Sequence, residues 1–238
     1  MASVAGSTTK KGSPDWKNIE PIIKEIFENV LPMKSGTNAQ YIKELADVNP
    51  DLFGVSYCSV SGEIYSCGDS HVPFSLQSTC KPMLYMTVLE TVPREVIHKH
   101  VGYEPSGRAF NEHVLTVDGI PHNPMLNAGA IMLASLIEPT KLMAERYGLV
   151  HGLITRLAGN VANVGFNIRV NQSEMETDHD NRSLSYYMFN AFPKGTDLDK
   201  TISLYYQVFS PSSRPPPPFT FLLLTPIPPH PLPHVHPL

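Results

Sequence analysis

Eleven of this chain's 23 prolines fall within residues 211–238, a stretch whose one charged side chain is Arg214. Four of them are consecutive, Pro215 to Pro218, and Pro-His and Pro-Leu pairs recur after them. Proline fixes its own φ and has no N–H to donate, so such a segment builds neither a helix interior nor a central strand. Polyproline II or disorder is expected there. Residues 1–14 are polar and read as a second disordered tail. A packed core must therefore come from residues 15–210, and the change of character at Ser210 is abrupt.

Composition narrows the function classes. Of 238 residues, 42% are hydrophobic and the formal net charge is −4. A nucleic-acid binder needs a basic stripe, which this balance does not supply. No apolar run approaches the length of a membrane span; the longest aliphatic cluster of the tail, Phe219 to Leu224, is far too short. The three cysteines, Cys58, Cys67 and Cys80, have no C-x-x-C spacing, which argues against a disulfide framework and a zinc site and for a reducing compartment. Cys58 and Cys67 are close enough in sequence to face one another across a hairpin. His230, His234 and His236 lie in the proline-rich tail and make a poor metal site. The N-terminus has neither the apolar core of a secretory signal nor the arginines of a mitochondrial transit peptide.

Within 15–210 the pattern is mixed. Trp16, Ile19, Ile22, Ile23, Ile26, Phe27 and Val30 recur at helical spacing over Asp15 to Leu31, with Ser13 or Asp15 as cap and Pro32 beyond the end. Tyr41 to Val48 predicts a short helix. Phe53 to Val60 and Glu63 to Cys67 predict two strands joined at Ser61-Gly62. Pro93 to His100 predicts a short helix closed by Gly102, and Glu104 to Pro121 a long loop of the functional or mobile kind. Asn123 fits an N-cap and Pro124 a first helical position for a buried helix running to Ile137. Ala128-Gly129-Ala130 lets a neighbour approach that helix closely, and Asn127 is its polar exception. Further helices are expected over Leu142 to Ala158, ended by Gly159-Asn160, then Asn181 to Phe189 and Asp197 to Phe209. The acidic run Glu174, Glu176, Asp178, Asp180 reads as a solvated face.

One motif carries chemistry. Ser78 and Lys81 stand in the arrangement S-x-x-K, and residues three apart share a helix face. Pro82 then falls in the first helical turn, where its missing N–H costs little. Met83, Leu84, Met86, Val88 and Leu89 follow, too dense an apolar run for a surface helix. A serine is a weak nucleophile until a base takes its proton, and a lysine is such a base when burial lowers its pKa. At a helix start, the Ser78 N–H is placed to serve as half of an oxyanion hole. S-x-x-K alone is a common pattern. A second copy, Ser7 to Lys10, sits in the polar tail with no helix behind it and means nothing.

More segments accompany the motif in order: Gly54-Val-Ser; Gly68-Asp-Ser-His-Val-Pro-Phe-Ser-Leu-Gln-Ser-Thr-Cys-Lys-Pro; Gly102-Tyr-Glu-Pro-Ser-Gly; Pro121-His-Asn-Pro-Met-Leu-Asn-Ala-Gly-Ala-Ile; Leu157-Ala-Gly-Asn; Phe192-Pro-Lys-Gly-Thr-Asp-Leu. Over residues 15–209 the chain resembles the serine-dependent, β-lactamase-like glutaminases, nearest the animal kidney and liver type. The resemblance implies an α/β (α+β) fold, mixed helices around an antiparallel sheet. It implies hydrolysis of L-glutamine to L-glutamate and ammonia through a Ser-Lys acyl-enzyme, without metal or organic cofactor. Ser78 matches the nucleophile and Lys81 its activating base. Tyr41, Gln77, Asn127, Glu174, Asn181 and Tyr205 match substrate-binding positions. Glu174 would pair with the glutamine α-ammonium, and the two asparagines would donate to its carboxylate or carbonyl.

The resemblance also implies what the proline-rich stretch displaces. Members of the family continue beyond the Tyr205-Tyr-Gln segment with a second catalytic tyrosine, the other oxyanion-hole N–H and the last strands of the sheet. A fold incomplete at the C-terminus is expected, with the hairpin's edge left unpaired. Losing one oxyanion donor costs on the order of a hundredfold in rate. A second expectation is therefore an inactive fragment that associates with full-length glutaminase subunits. A penicillin-binding type of S-x-x-K enzyme fits less well, because no late K-T-G strand follows. The resemblance further implies a homo-oligomer, dimer or tetramer, and a mitochondrial location, with the cytoplasm as the alternative. No nucleic-acid or membrane partner is expected.

Overall fold

A computed structural model describes residues 19–59, 62–108, 113–159 and 164–213. Trp16 and the caps Ser13 and Asp15, Ser61 of the hairpin turn, Asn160, the tail 1–14 and nearly all of the proline-rich stretch, with its three histidines, lie outside them.

The core is helical. α5 (Asn127–Leu136) is buried on every side from Ala128 to Leu136, as a helix apolar all round must be. α3 (Lys81–Thr91) and α9 (Leu198–Phe209) pack on it, and α6 (Met143–Leu157) lies against α3 and α9. Met83, Leu84, Ile131, Met132, Leu133, Ile154 and Ile202 are fully enclosed between them. Each such side chain contributes about 1.5–3 kcal/mol by leaving water. Arg146 of α6 is buried too, and its guanidinium donates to Ala134 O at 2.8 Å and Ile137 O at 2.7 Å. Those carbonyls at the end of α5 lack helical partners, so a cation there caps the helix and complements its dipole.

The strands are peripheral. β1 (Gly54–Cys58) and β2 (Ile64–Gly68) form an antiparallel hairpin, and none of their residues is buried. α1 (Ile19–Val30) lies against the hairpin: Phe27 stacks on Phe53 at 5.1 Å. Gly68 is left-handed, with φ +64, and a Cβ there would meet Phe53 O at 2.3 Å and the Phe27 ring. Val55 pairs with Cys67 and Cys58 with Ile64, so the two cysteines are not opposite and both are free.

Several expectations need correcting. The first strand is shorter than predicted, ending at Cys58, and the second keeps its length but starts one residue later, at Ile64; between them Ser59 N–H donates to Glu63 O at 2.9 Å. Tyr41 to Val48 yields one turn, α2 (Lys43–Ala46), and Pro93 to His100 yields α4 (Arg94–Ile97). α5 begins four residues after Asn123. The preceding residues are held instead by the loop, through Gly102 N–H to Pro121 O, Glu104 N–H to His122 O and Asn123 Nδ2 to Glu104 O. Asn123 Oδ1 accepts from Met125 N–H and makes a local turn rather than a cap. α7 (Ile168–Glu176), capped by Asn167, and α8 (His179–Tyr187) occupy a region where only Asn181 to Phe189 was expected to be helical. The acidic run is only half solvated: Glu174 and Asp178 are buried, the latter against Arg182. The first residues of the proline-rich stretch are ordered, for β4 (Pro211–Ser213) pairs antiparallel with β3 (Val164–Phe166). Among the described residues no helix is long and apolar enough to cross a membrane.

Candidate active site

Ser78 lies in a 3-10 turn, Gln77 to Cys80, that runs directly into α3, with Pro82 in the helix's first turn as predicted. The turn is entered through a strained residue. Gln77 has φ +47, a conformation that costs a non-glycine residue on the order of 1 kcal/mol or more. Two backbone contacts hold it: Leu76 N–H donates to Pro211 O at 3.0 Å, and Ser75 forms a bridge with Ser212. Ser78 is exposed and Lys81 is buried behind it, 4% exposed.

Two hydrogen-bonded groups flank the turn. In the first, Lys81 Nζ donates to Asn127 Oδ1 at 2.7 Å, Asn127 Nδ2 to Asn181 Oδ1 at 3.2 Å, and Asn181 Nδ2 to the Tyr206 oxygen at 2.7 Å. Among the described residues the lysine's hydrogen bond thus goes to Asn127, not to Ser78. The Phe209 ring lies 5.7 Å from the amine. Burial pulls Lys81 down from 10.5 to about 8, slightly opposed by Cys80.

In the second group, the Tyr41 hydroxyl lies 2.8 Å from a Glu174 oxygen and 3.1 Å from Gln77 Oε1. A phenol has one proton, and the nearer, charged acceptor takes it. Gln77 keeps its oxygen toward Tyr41, while its Nε2 donates to Ser75 Oγ at 3.2 Å. Although 55% of Tyr41 is exposed, its hydroxyl end is tucked in; burial and then Glu174 hold its pKa well above the usual phenol value. Burial also raises the Glu174 carboxyl, against hydrogen bonds from Tyr41 and Gln77 that lower it.

Tyr205 is fully enclosed between these groups, packed on Phe209 and Tyr206. Burial, then the charges of Tyr206, Cys80, Glu174 and Tyr41, raises its pKa. Every residue singled out from sequence is thus in one neighbourhood, with Tyr205 behind the surface groups. Tyr206 was missed. It sits in an apolar helix beside another tyrosine, and nothing in the sequence marks which ring reaches Asn181. A separate cleft of about 850 Å³ lies alongside, from Asn38 and Glu44 to Ser75 and Ser212; neither Ser78 nor Lys81 lines it. Among the described residues no cluster suited to a metal ion occurs.

A family model described as Glutaminase matches residues 36–213. The chain is 41% identical over 199 residues to the mitochondrial glutaminase liver isoform of Rattus norvegicus, covering 83% of this chain and 33% of the rat protein. It is 37% identical over 187 residues to a glutaminase of Trichormus variabilis, covering 78% of this chain and 55% of that one. The structure titled "Probable glutaminase ybaS" superposes with a TM-score of 0.76 at 27% identity, over 84% of this chain and 64% of that one. Native Mglu superposes at 0.74 and 27% identity, over 82% and 47%. The chain spans about a third of the animal relatives' length. The expected fold, a β-lactamase-like mixture of helices and antiparallel strands, is the one seen. A match through most of the described residues, in sequence and in structure alike, means that this chain belongs to the glutaminase family.

Proposed function

We propose that the region 15–210, flanked by the tails 1–14 and 211–238, is a catalytic domain that hydrolyses L-glutamine to L-glutamate and ammonia. The observation that carries this reading is a buried amine, Lys81, one turn after an exposed serine at a helix start. With a pKa of about 8, about a tenth of that amine is neutral at pH 7 and able to act as a base. It takes the Ser78 proton as the oxygen attacks the side-chain amide carbon. The Ser78 N–H, at the start of the turn, faces the developing oxyanion. The C–N bond then breaks, nitrogen leaves as ammonia after protonation from a nearby tyrosine, which regains its proton from the Lys81 ammonium, and a γ-glutamyl ester remains. Water attacks the ester, the serine recovers its proton, and glutamate departs.

The remaining side chains suit the rest of the substrate. Glu174, ionised and accepting from Tyr41, offers its second oxygen to the α-ammonium. Asn127 and Asn181 each keep one amide hydrogen free for the carboxylate, and Gln77 and Tyr41 close the pocket mouth. Tyr205 bounds the pocket from inside. The names of the rodent relatives support a mitochondrial setting over the cytoplasm, and family membership supports a homo-oligomer.

A coupled ammonia-release assay on the purified chain tests the reading. Turnover that Ser78→Ala removes is expected; no ammonia from a folded chain would overturn it. The rate should rise with pH through about 8 as Lys81 loses its proton. It should fall at acid pH as Glu174 is protonated, at a pH above the ordinary glutamate value because burial raises it.

A further inference from the structure

We propose that Tyr206 is a positioning residue, whose phenolic oxygen fixes the Asn181 amide and, through Asn127, the seat of the Lys81 amine. The inference deepens the glutamine-hydrolysis reading, but rests on three hydrogen bonds that exist whatever the substrate.

The chain has one direction. A charged lysine is a donor only, so the Asn127 atom at 2.7 Å must be the oxygen. Asn127 then presents its NH₂ to Asn181, at 3.2 Å, where an oxygen must face it. Asn181 is left presenting NH₂ to Tyr206, at 2.7 Å, and the phenolic oxygen is the acceptor that ends the series. Turning either amide over would set NH₂ against NH₂ or against the ammonium. Lys81 therefore anchors one end and Tyr206 the other. Tyr206 is 2% exposed, so water is a poor substitute. Burial raises its pKa to about 12, opposed by the Asn181 hydrogen bond, so the hydroxyl keeps its own proton.

Removing that acceptor leaves the Asn181 NH₂ without a partner and free to swing away. Asn127 then loses the oxygen that orients it, and Lys81 loses a fixed acceptor for its charged form. Loss of an acceptor disfavours the ammonium. Among the described residues, the Phe209 ring and Cys80, whose thiol burial keeps neutral, also face the amine.

The test is the pH dependence of Lys81 acylation in the full chain, read by mass spectrometry of its peptide. In Tyr206→Phe the midpoint, about 8 in the unaltered chain, should fall by about half a pH unit, roughly threefold in the acid constant. Val208→Ala, a buried change on the same helix, should lower the melting temperature and leave the midpoint in place. An unchanged midpoint in folded Tyr206→Phe overturns the proposal. Should that variant not fold, a fluorinated tyrosine at 206 alone, a weaker acceptor of nearly the same size, must move the midpoint the same way, and its failure to do so is equally decisive. Glutamine binding by the unaltered chain, measured separately by calorimetry, decides the functional reading: no binding sinks that reading and leaves the Lys81 titration to judge Tyr206.

Discussion

Lys81 is held in the folded chain at about 8 against an ordinary 10.5. Between those values the unfolded chain binds more protons, so stability rises with pH across the window, and the handicap is full below about 8. A difference of about 2.5 amounts to about 3 kcal/mol. Lys81→Met should remove it, less about 1 kcal/mol for the orphaned Asn127 oxygen. A gain of about 2 kcal/mol at pH 7 in urea unfolding, turning into a loss of about 1 kcal/mol above pH ~10.5 where only the Asn127 cost remains, is the expected outcome, together with loss of ammonia release. Gln77 makes a similar trade in backbone form. Gln77→Gly should relieve the φ +47 strain and stabilise by up to about 1 kcal/mol, while weakening glutamine binding several-fold in calorimetry. At this scale the sequence was readable where spacing carries the signal, as with Ser78 and Lys81. It was not readable where a contact depends on which of two adjacent rings points inward, as with Tyr205 and Tyr206.

Among the elements, α5 depends on its neighbours at both ends. Its C-terminal carbonyls rest on the Arg146 guanidinium. Arg146→Met keeps the apolar stem and strips the donors, and should cost about 2–4 kcal/mol in chemical denaturation. At the other end, a Cβ on Gly129 would lie 1.9 Å from Asn123 O, which is backbone and has no easy way to yield. Gly129→Ala should therefore push the start of α5, and Asn127 with it, out of place, losing about 1–3 kcal/mol and most of the ammonia release. α3, α5 and α9 were legible because dense apolar residues mark them, and a first-turn proline marks α3 as well. α7 was not, for its buried face is Val170, Asn171 and Glu174, and polar residues on a buried face carry no hydrophobic period. β3 and β4 were too short to leave a pattern.

The whole molecule divides into a dry helical core and a thinly covered hairpin. All ten strand residues of β1 and β2 are at least partly exposed, whereas α5 is sealed from Ala128 onward. Opening free energy follows such burial. Hydrogen exchange should find the β1 and β2 amides unprotected long before those of α5; equal protection would refute this division. The hairpin itself was plain in the sequence, but its loose attachment was not, since that depends on what lies across its faces. The contact between Leu76 N–H and Pro211 O spans most of the described chain. During synthesis the segment around residue 76 leaves the ribosome long before residue 211 exists. The strained turn at Gln77 has no clamp until then, so synthesis must run more than 130 residues past the nucleophile before its seat can set.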